Sequence, residues 1–179
     1  MEKIGLYKLE NGKRVDTGRI YIRNEPWPDS EDDCYIVGIN NWIINKDGKL
    51  LVQRRAMAKK NNPGKWSSTN GLIQYGETNI ETVQRETKEE LGIEIEPNQI
   101  FLFKENHFVD KHWLVDIFIT YANINLENIK IQESEVDKVV FVTLDEFLTF
   151  DISTTCSYIK ELAPMMKEKI KEIKTKINL

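Results

Sequence analysis

Three glutamates, Glu86, Glu89 and Glu90, crowd into a segment that reads as helix. At i, i+3 and i+4 their carboxylates share one side of a helical turn. On a solvated helix a like-charged pair costs only roughly a few tenths of a kcal/mol, so an acidic face alone is usually plain surface. Partly enclosed, such carboxylates raise one another's pKa unless a cation joins them. Oxygen donors at this spacing suit a hard divalent ion, Mg²⁺ with Mn²⁺ as a substitute. Magnesium retains several waters, which leaves room for phosphate oxygens and an attacking water.

The elements that must position these groups follow from pattern. Thr78 and Glu81 have capping-box spacing and Gly92 supplies a stop, so a helix is predicted over about 78–91. Ile80, Val83, Thr87 and Leu91 form its mostly apolar stripe, and the glutamates lie beside it. Upstream, 4–9 and 13–22 read as two short strands around Asn11-Gly12, a favoured hairpin turn. Segment 24–33 is a polar loop with two prolines. Tyr35–Ile44 and Lys49–Arg55 read as strands, paired as a hairpin through the turn 45–48, and 56–65 is a basic loop. Strands follow at about 99–106, 113–122 and 138–142. Thr143 and Glu146 repeat the capping box before a short helix, and a last helix spans about 156–176. Its stripe of Ile159, Leu162, Met166, Ile170, Ile173 and Ile177 suits packing on the sheet; a homodimer seam would use the same stripe.

The whole stretch 71–93, GLIQYGETNIETVQRETKEELGI, is far more specific than three acids. Gly71, Glu77, Arg85-Glu86, Glu89-Glu90 and Gly92 stand at the spacing of the Nudix box, and the chain is identified as a member of the Nudix hydrolase family. Thr87 stands where that pattern usually has an aliphatic residue, and TNGLI replaces the Gly-Gly pair often found just upstream. The resemblance implies an α/β Nudix fold: a mixed sheet sandwiched between helices, here with an N-terminal β-hairpin. Residues 1–33 would be a hairpin and loop within the same unit, and 34–179 the Nudix domain with its C-terminal helix. The implied reaction is Mg²⁺-dependent hydrolysis of the diphosphate linkage in a nucleoside diphosphate derivative, NDP-X, by water attack on phosphorus.

The resemblance also assigns roles. Glu86, Glu89 and Glu90, with the Gly71 carbonyl, would hold metal. Glu86 would alternatively orient and deprotonate the water. Arg85 would hold Glu77 or a neighbouring glutamate by charged hydrogen bonds, and Glu77 would support the site. Outside the box, Arg54 and Arg55, with Lys59 and Lys60, are candidates for diphosphate oxygens, with a solvated basic loop as the alternative. Glu133 and Glu135 are candidates for an extra base or ligand, ahead of Glu105 and Asp116; solvated loop acids are the plain alternative. Trp66 is expected in the core. Tyr75, Trp42, Phe108 and Trp113 are core residues or a stacking wall. His107 and His112 flank a polar turn.

Composition narrows the classes. With 179 residues, a net charge of −4 and 40% hydrophobic residues, a soluble single domain is expected, without the basic bias of a nucleic-acid binder. No apolar run reaches membrane-spanning length, and a cytoplasmic location follows as an expectation. Cys34 and Cys156 lie far apart and have no metal-type spacing. The partner is expected to be a small nucleotide or another organic diphosphate.

Two other readings stand beside the hydrolase. The first ninety residues are similar in layout to the isopentenyl-diphosphate isomerase branch of the superfamily. Those enzymes need a reactive cysteine just ahead of the position of Gly71 and several metal-binding histidines. This chain has Asn70 there and two histidines in all. A non-catalytic nucleotide-sensing domain would typically lack box carboxylates, and all of them are present.

Overall fold

The computed structural model describes residues 1–28, 33–108 and 112–177. Strands β1 (Lys3–Glu10) and β2 (Lys13–Ile22) form the N-terminal hairpin. Its turn residues Asn11 and Gly12 have φ of 51° and 76°, the left-handed pair that a two-residue hairpin turn requires. Next come β3 (Ile36–Ile44), β4 (Leu50–Arg55), β5 (Trp66–Ser67), β6 (Thr69–Leu72) and helix α1 (Asn79–Leu91). Strands β7 (Ile100–Phe108), β8 (Trp113–Tyr121) and β9 (Val136–Val142) precede the short helix α2 (Leu144–Phe147) and the terminal helix α3 (Ile159–Lys176).

Among the described residues, seven strands make one mixed sheet. β3 runs parallel to β8, which pairs antiparallel with β7. The opposite edge of β3 is shared. Ile43 and Ile44 pair with Leu51 and Leu50 of β4, whereas Gly38–Asn41 pair with Leu72–Thr69 of β6. The expected β3–β4 hairpin therefore holds only beside its turn. One strand edge cannot bond two partners at once, so β4 diverges where β6 enters; past that point the edge pairs with β5, while the other edge of β4 pairs with β9 throughout.

Side chains alternate along β3, so its two faces belong to different cores. Val37, Ile39 and Ile43 pack with Leu51, Leu114, Phe118 and the α1 residues Val83 and Leu91. Trp42 and Ile44 pack with Leu50, Val115 and Ile117 against Ile159, Leu162, Met166, Ile170 and Ile173 of α3. The apolar stripe of α3 is thus covered by the chain's own sheet. The N-terminal hairpin docks beside the segment leading into α1. Tyr7 and Tyr35 exchange backbone hydrogen bonds at 2.9 and 2.8 Å, and Tyr75 N donates to Lys3 O at 2.8 Å. Arg14 Nη1 donates to both carboxylate oxygens of buried Asp116, at 3.0 and 2.8 Å. No helix among the described residues is long and apolar enough to cross a membrane.

Candidate active site

Helix α1 begins as its sequence dictates. Thr78 Oγ1 accepts from Glu81 N, and the Glu81 side chain accepts from Thr78 N. The helix ends at Gly92, whose φ of 68° favours glycine. Thr87, in the usual aliphatic position, uses both ends of its side chain. It is buried, and Oγ1 accepts from Asn41 Nδ2 at 3.2 Å while Asn41 Oδ1 accepts from Thr120 Oγ1 at 2.7 Å.

Arg85 is the hub of the box. Its Nε and Nη2 donate to the two oxygens of Glu77 at 2.7 and 3.0 Å, and Nη2 also to Leu72 O at 3.1 Å. Its Nη1 donates to Glu86 at 2.7 Å and Glu89 at 3.3 Å. One planar fork therefore ties three carboxylates to the β6 backbone. Burial alone would raise the Glu77 pKa. The bonds from Arg85, Gln74 N and Thr82 outweigh it and hold that carboxyl below its ordinary range.

Glu86, Glu89 and Glu90 face a cleft of about 700 Å³, together with Gly71, Arg85 and Asn70. Glu90 is only 5% exposed and accepts from Gln53 Nε2 at 2.6 Å. Burial pushes its pKa up to about 8. Glu86, 9% exposed, is pushed up to about 7 by burial even against the favourable charge of Arg85. Gly71 is required for close approach: a Cβ there would lie 2.0 Å from Glu86 Oε1. Gly71→Ala is accordingly expected to force the Glu86 carboxylate out of place and lower kcat by about a hundredfold. A circular dichroism spectrum and a melting curve would check that the fold survives; a rate near that of wild type would contradict this packing.

Both raised pKa values make a stability statement. The folded state holds these protons more tightly than the unfolded chain, whose glutamates titrate near 4.5. Their contribution is therefore complete below pH 4.5 and is lost as pH rises through about 7 and about 8. In EDTA, the Tm is expected to fall between pH 5 and pH 8.5 by on the order of 5 °C. A Tm that rises over that interval would contradict the assigned burial.

The donor set is all oxygen: three carboxylates and the Gly71 carbonyl, bordering one cleft, two of the carboxylates buried. That chemistry fits a hard divalent cation. Among the described residues no group of three or more such side chains already surrounds an ion-sized point, because Arg85 and Gln53 hold the glutamates.

The other candidates divide sharply. Arg54 turns away from the cleft, donating to Asp137 at 2.7 and 3.2 Å and lying over the Trp66 ring. Arg55 lines the cleft; its Nε donates to Asn61 O at 3.1 Å. The alternation of β4 separates these neighbours. Glu135 lines the cleft and pairs with Lys59 at 2.6 Å, whereas Glu133 is exposed and outside it. Lys60 lines the cleft as well. Glu105 lies on β7 away from the cleft, and Asp116 is tied to Arg14. Trp42 is core, Trp66 packs at the core's edge, Tyr75 is exposed, and Trp113 lines the cleft. His107 is exposed, and His112 Nδ1 contacts Cys34 O at 2.9 Å; most of the turn between them lies outside the described residues. Sequence reasoning missed Gln53, and it missed the hairpin's contribution of Glu2, Arg23 and Asn24 to the cleft. No local pattern marks these residues; only the docking of distant segments brings them in.

Residues 35–158 match the NUDIX domain family. The chain belongs to the Nudix hydrolase family. It is 34% identical, over 78% of its length and 80% of the relative's, to an uncharacterized Nudix hydrolase of Listeria monocytogenes. It is 47% identical over 92 residues to an isopentenyl-diphosphate Delta-isomerase of Escherichia coli, a match spanning 50% of this chain and 48% of the isomerase. A crystal structure from Deinococcus radiodurans superposes with a TM-score of 0.67 over 93% of this chain and 98% of that one, at 17% identity, which shows the shared fold. The protein is thus a Nudix-type hydrolase, and the bond it cleaves is a pyrophosphate linkage. The hairpin lies outside the family match, yet it supplies one wall of this Nudix cleft.

Proposed function

We propose that the protein hydrolyses the diphosphate linkage of a nucleoside diphosphate derivative or another small organic diphosphate, with magnesium bound by Glu86, Glu89, Glu90 and the Gly71 carbonyl. The observation that carries this reading is the pair of buried carboxylates, Glu86 and Glu90, bordering the same cleft as Arg55 and Lys60. When bound, the metal would neutralise diphosphate charge and make water a better nucleophile. The chain's own residues do the rest. Arg85 holds Glu77, Glu86 and Glu89 in register with β6. Gln53 orients Glu90. Arg55, whose Nη atoms make no hydrogen bond among the described residues, is placed to meet phosphate oxygens. Glu135, held by Lys59, is the better placed of the two loop acids to take a proton from water. Glu86 is the competing base, and it would serve in that role only if it does not ligate the metal.

The isomerase relatives favour a second substrate class, a diphosphate without a nucleoside, because the isopentenyl diphosphate they are named for is one. Their reaction is a weaker proposal here, since Asn70 occupies the position ahead of Gly71. The test is a panel of nucleoside and alkyl diphosphates with Mg²⁺, read as phosphate released through a coupled phosphatase. Turnover abolished by EDTA is expected. Turnover that persists in EDTA would overturn the metal assignment, and tight binding without turnover would indicate a sensing domain.

A further inference from the structure

A smaller cavity of about 110 Å³ shares Asn40, Trp113 and Thr155 with the main cleft and is otherwise walled by Phe108, Val115, Tyr158 and the hydroxyl residues Thr154 and Ser157. Asn40 is only 3% exposed. Its Nδ2 donates to Thr155 O at 2.9 Å and also to Tyr158 Oη. A backbone carbonyl only accepts, so this contact fixes which way the amide points. Asn40 Oδ1 is left with no hydrogen-bond partner among the described residues. Tyr158 Oη accepts from Asn40, and its own O–H is uncommitted; burial raises the phenol's pKa, so it remains a donor. Asn40 Oδ1 itself is not fully buried, whereas two polar atoms in the adjoining cleft wall, Trp113 Nε1 and Asn70 Oδ1, are buried without partners. Orphaned buried groups call for an explanation, and a bound polar ligand is one.

We propose that this niche is a recognition subsite for a hydroxyl group carried on a small aliphatic part of the substrate, with Asn40 Oδ1 accepting from the hydroxyl and Tyr158 O–H donating to it. The proposal rests on the diphosphate reading of the main cleft. A hydroxyl both donates and accepts, which matches one acceptor beside one donor. A carbonyl or ether could not serve Asn40 Oδ1. No lysine or arginine lines the niche among the described residues, which disfavours a phosphate. At roughly 30 Å³ for each water-sized group, the space takes about four non-hydrogen atoms. A nucleobase is too large for it and would lie in the main cleft.

The experiment pairs each ω-hydroxyalkyl diphosphate of two to six carbons with its deoxy analogue and measures Kd by calorimetry with Mg²⁺. At the length that fits, the hydroxyl compound is expected to bind about tenfold more tightly to the wild type. Asn40→Leu is expected to abolish that ratio and Tyr158→Phe to cut it about threefold; the second variant changes packing little, and melting curves check both. Equal affinities at every length, or a ratio unchanged by both variants, would overturn the niche. If no alkyl diphosphate binds, the diphosphate reading of the cleft falls for this class. The niche is then tested with the phosphate-free diols and their deoxy alcohols, through the Trp113 indole N–H resonance assigned with Trp113→Phe. A shift with the diols alone would support the niche, and no difference between the two series would overturn it.

Discussion

Glu90→Gln is expected to lower kcat by about three orders of magnitude while leaving the fold intact. Glutamine has nearly the volume of glutamate, so the tightly packed site is not emptied. What is lost is an anionic oxygen on the most buried carboxylate of the box. The contact with Gln53 now joins two amides and persists if the new side chain turns its carbonyl toward Nε2. Burial already resists the charge on Glu90, so the metal-free variant is expected to be at least as stable as the wild type above pH 8. The measurement is single-turnover hydrolysis beside a thermal melt in EDTA. Near-normal turnover would remove Glu90 from the metal set. A collapsed melt would mean that the charge is structural.

Arg85→Ala is expected to be costly in a different way: activity falls by about a hundredfold or more and stability falls with it. The substitution strips Glu77 of two hydrogen bonds and Glu86 of its nearest cation, and it frees the Leu72 carbonyl. Breaking a buried pair by removing one partner costs about 3–5 kcal/mol. These groups are partly exposed, so a loss of roughly half that is expected. Arg85→Lys should restore part of the stability and little of the rate, because an ammonium cannot span Glu77, Glu86 and Leu72 as a fork does. If Arg85→Lys recovered full activity, the guanidinium's role in orienting carboxylates would be wrong.

Much of this arrangement was legible in the sequence. Thr78, Glu81 and Gly92 delimit α1 through local chemistry, and the hairpin turn at Asn11-Gly12 needs only two residues to declare itself. The Nudix box could be read because its residues at 71–93 resemble the family's signature; the helical spacing of the three glutamates alone is much less specific. The partition of Arg54 from Arg55 was not legible, since it depends on which face of β4 borders the cleft and which carries Asp137 of the neighbouring β9. Neither was the splaying of β3 from β4, which arises because β6, a strand of four residues with little intrinsic preference, competes for the same edge. Gln53 and Arg23 look like ordinary polar residues until distant segments are docked. The family match begins at residue 35, and the likeness of layout upstream of it named a hairpin without saying that its ends would wall the cleft.

The alternation of β3 has an evolutionary corollary. Val37, Ile39 and Ile43 support the helix that bears the carboxylates, with Ile39 also reaching the cleft wall, whereas Trp42 and Ile44 pack under α3 and Ile36 and Asn40 border the cleft, Asn40 also in the smaller cavity. Adjacent codons in one strand therefore answer to different selective pressures. Substitution at Ile36 or Asn40 would reshape the ligand wall, whereas Val37 and Ile43 on one face, and Trp42 and Ile44 on the other, must keep their volume for the hydrolytic centre to stay in place.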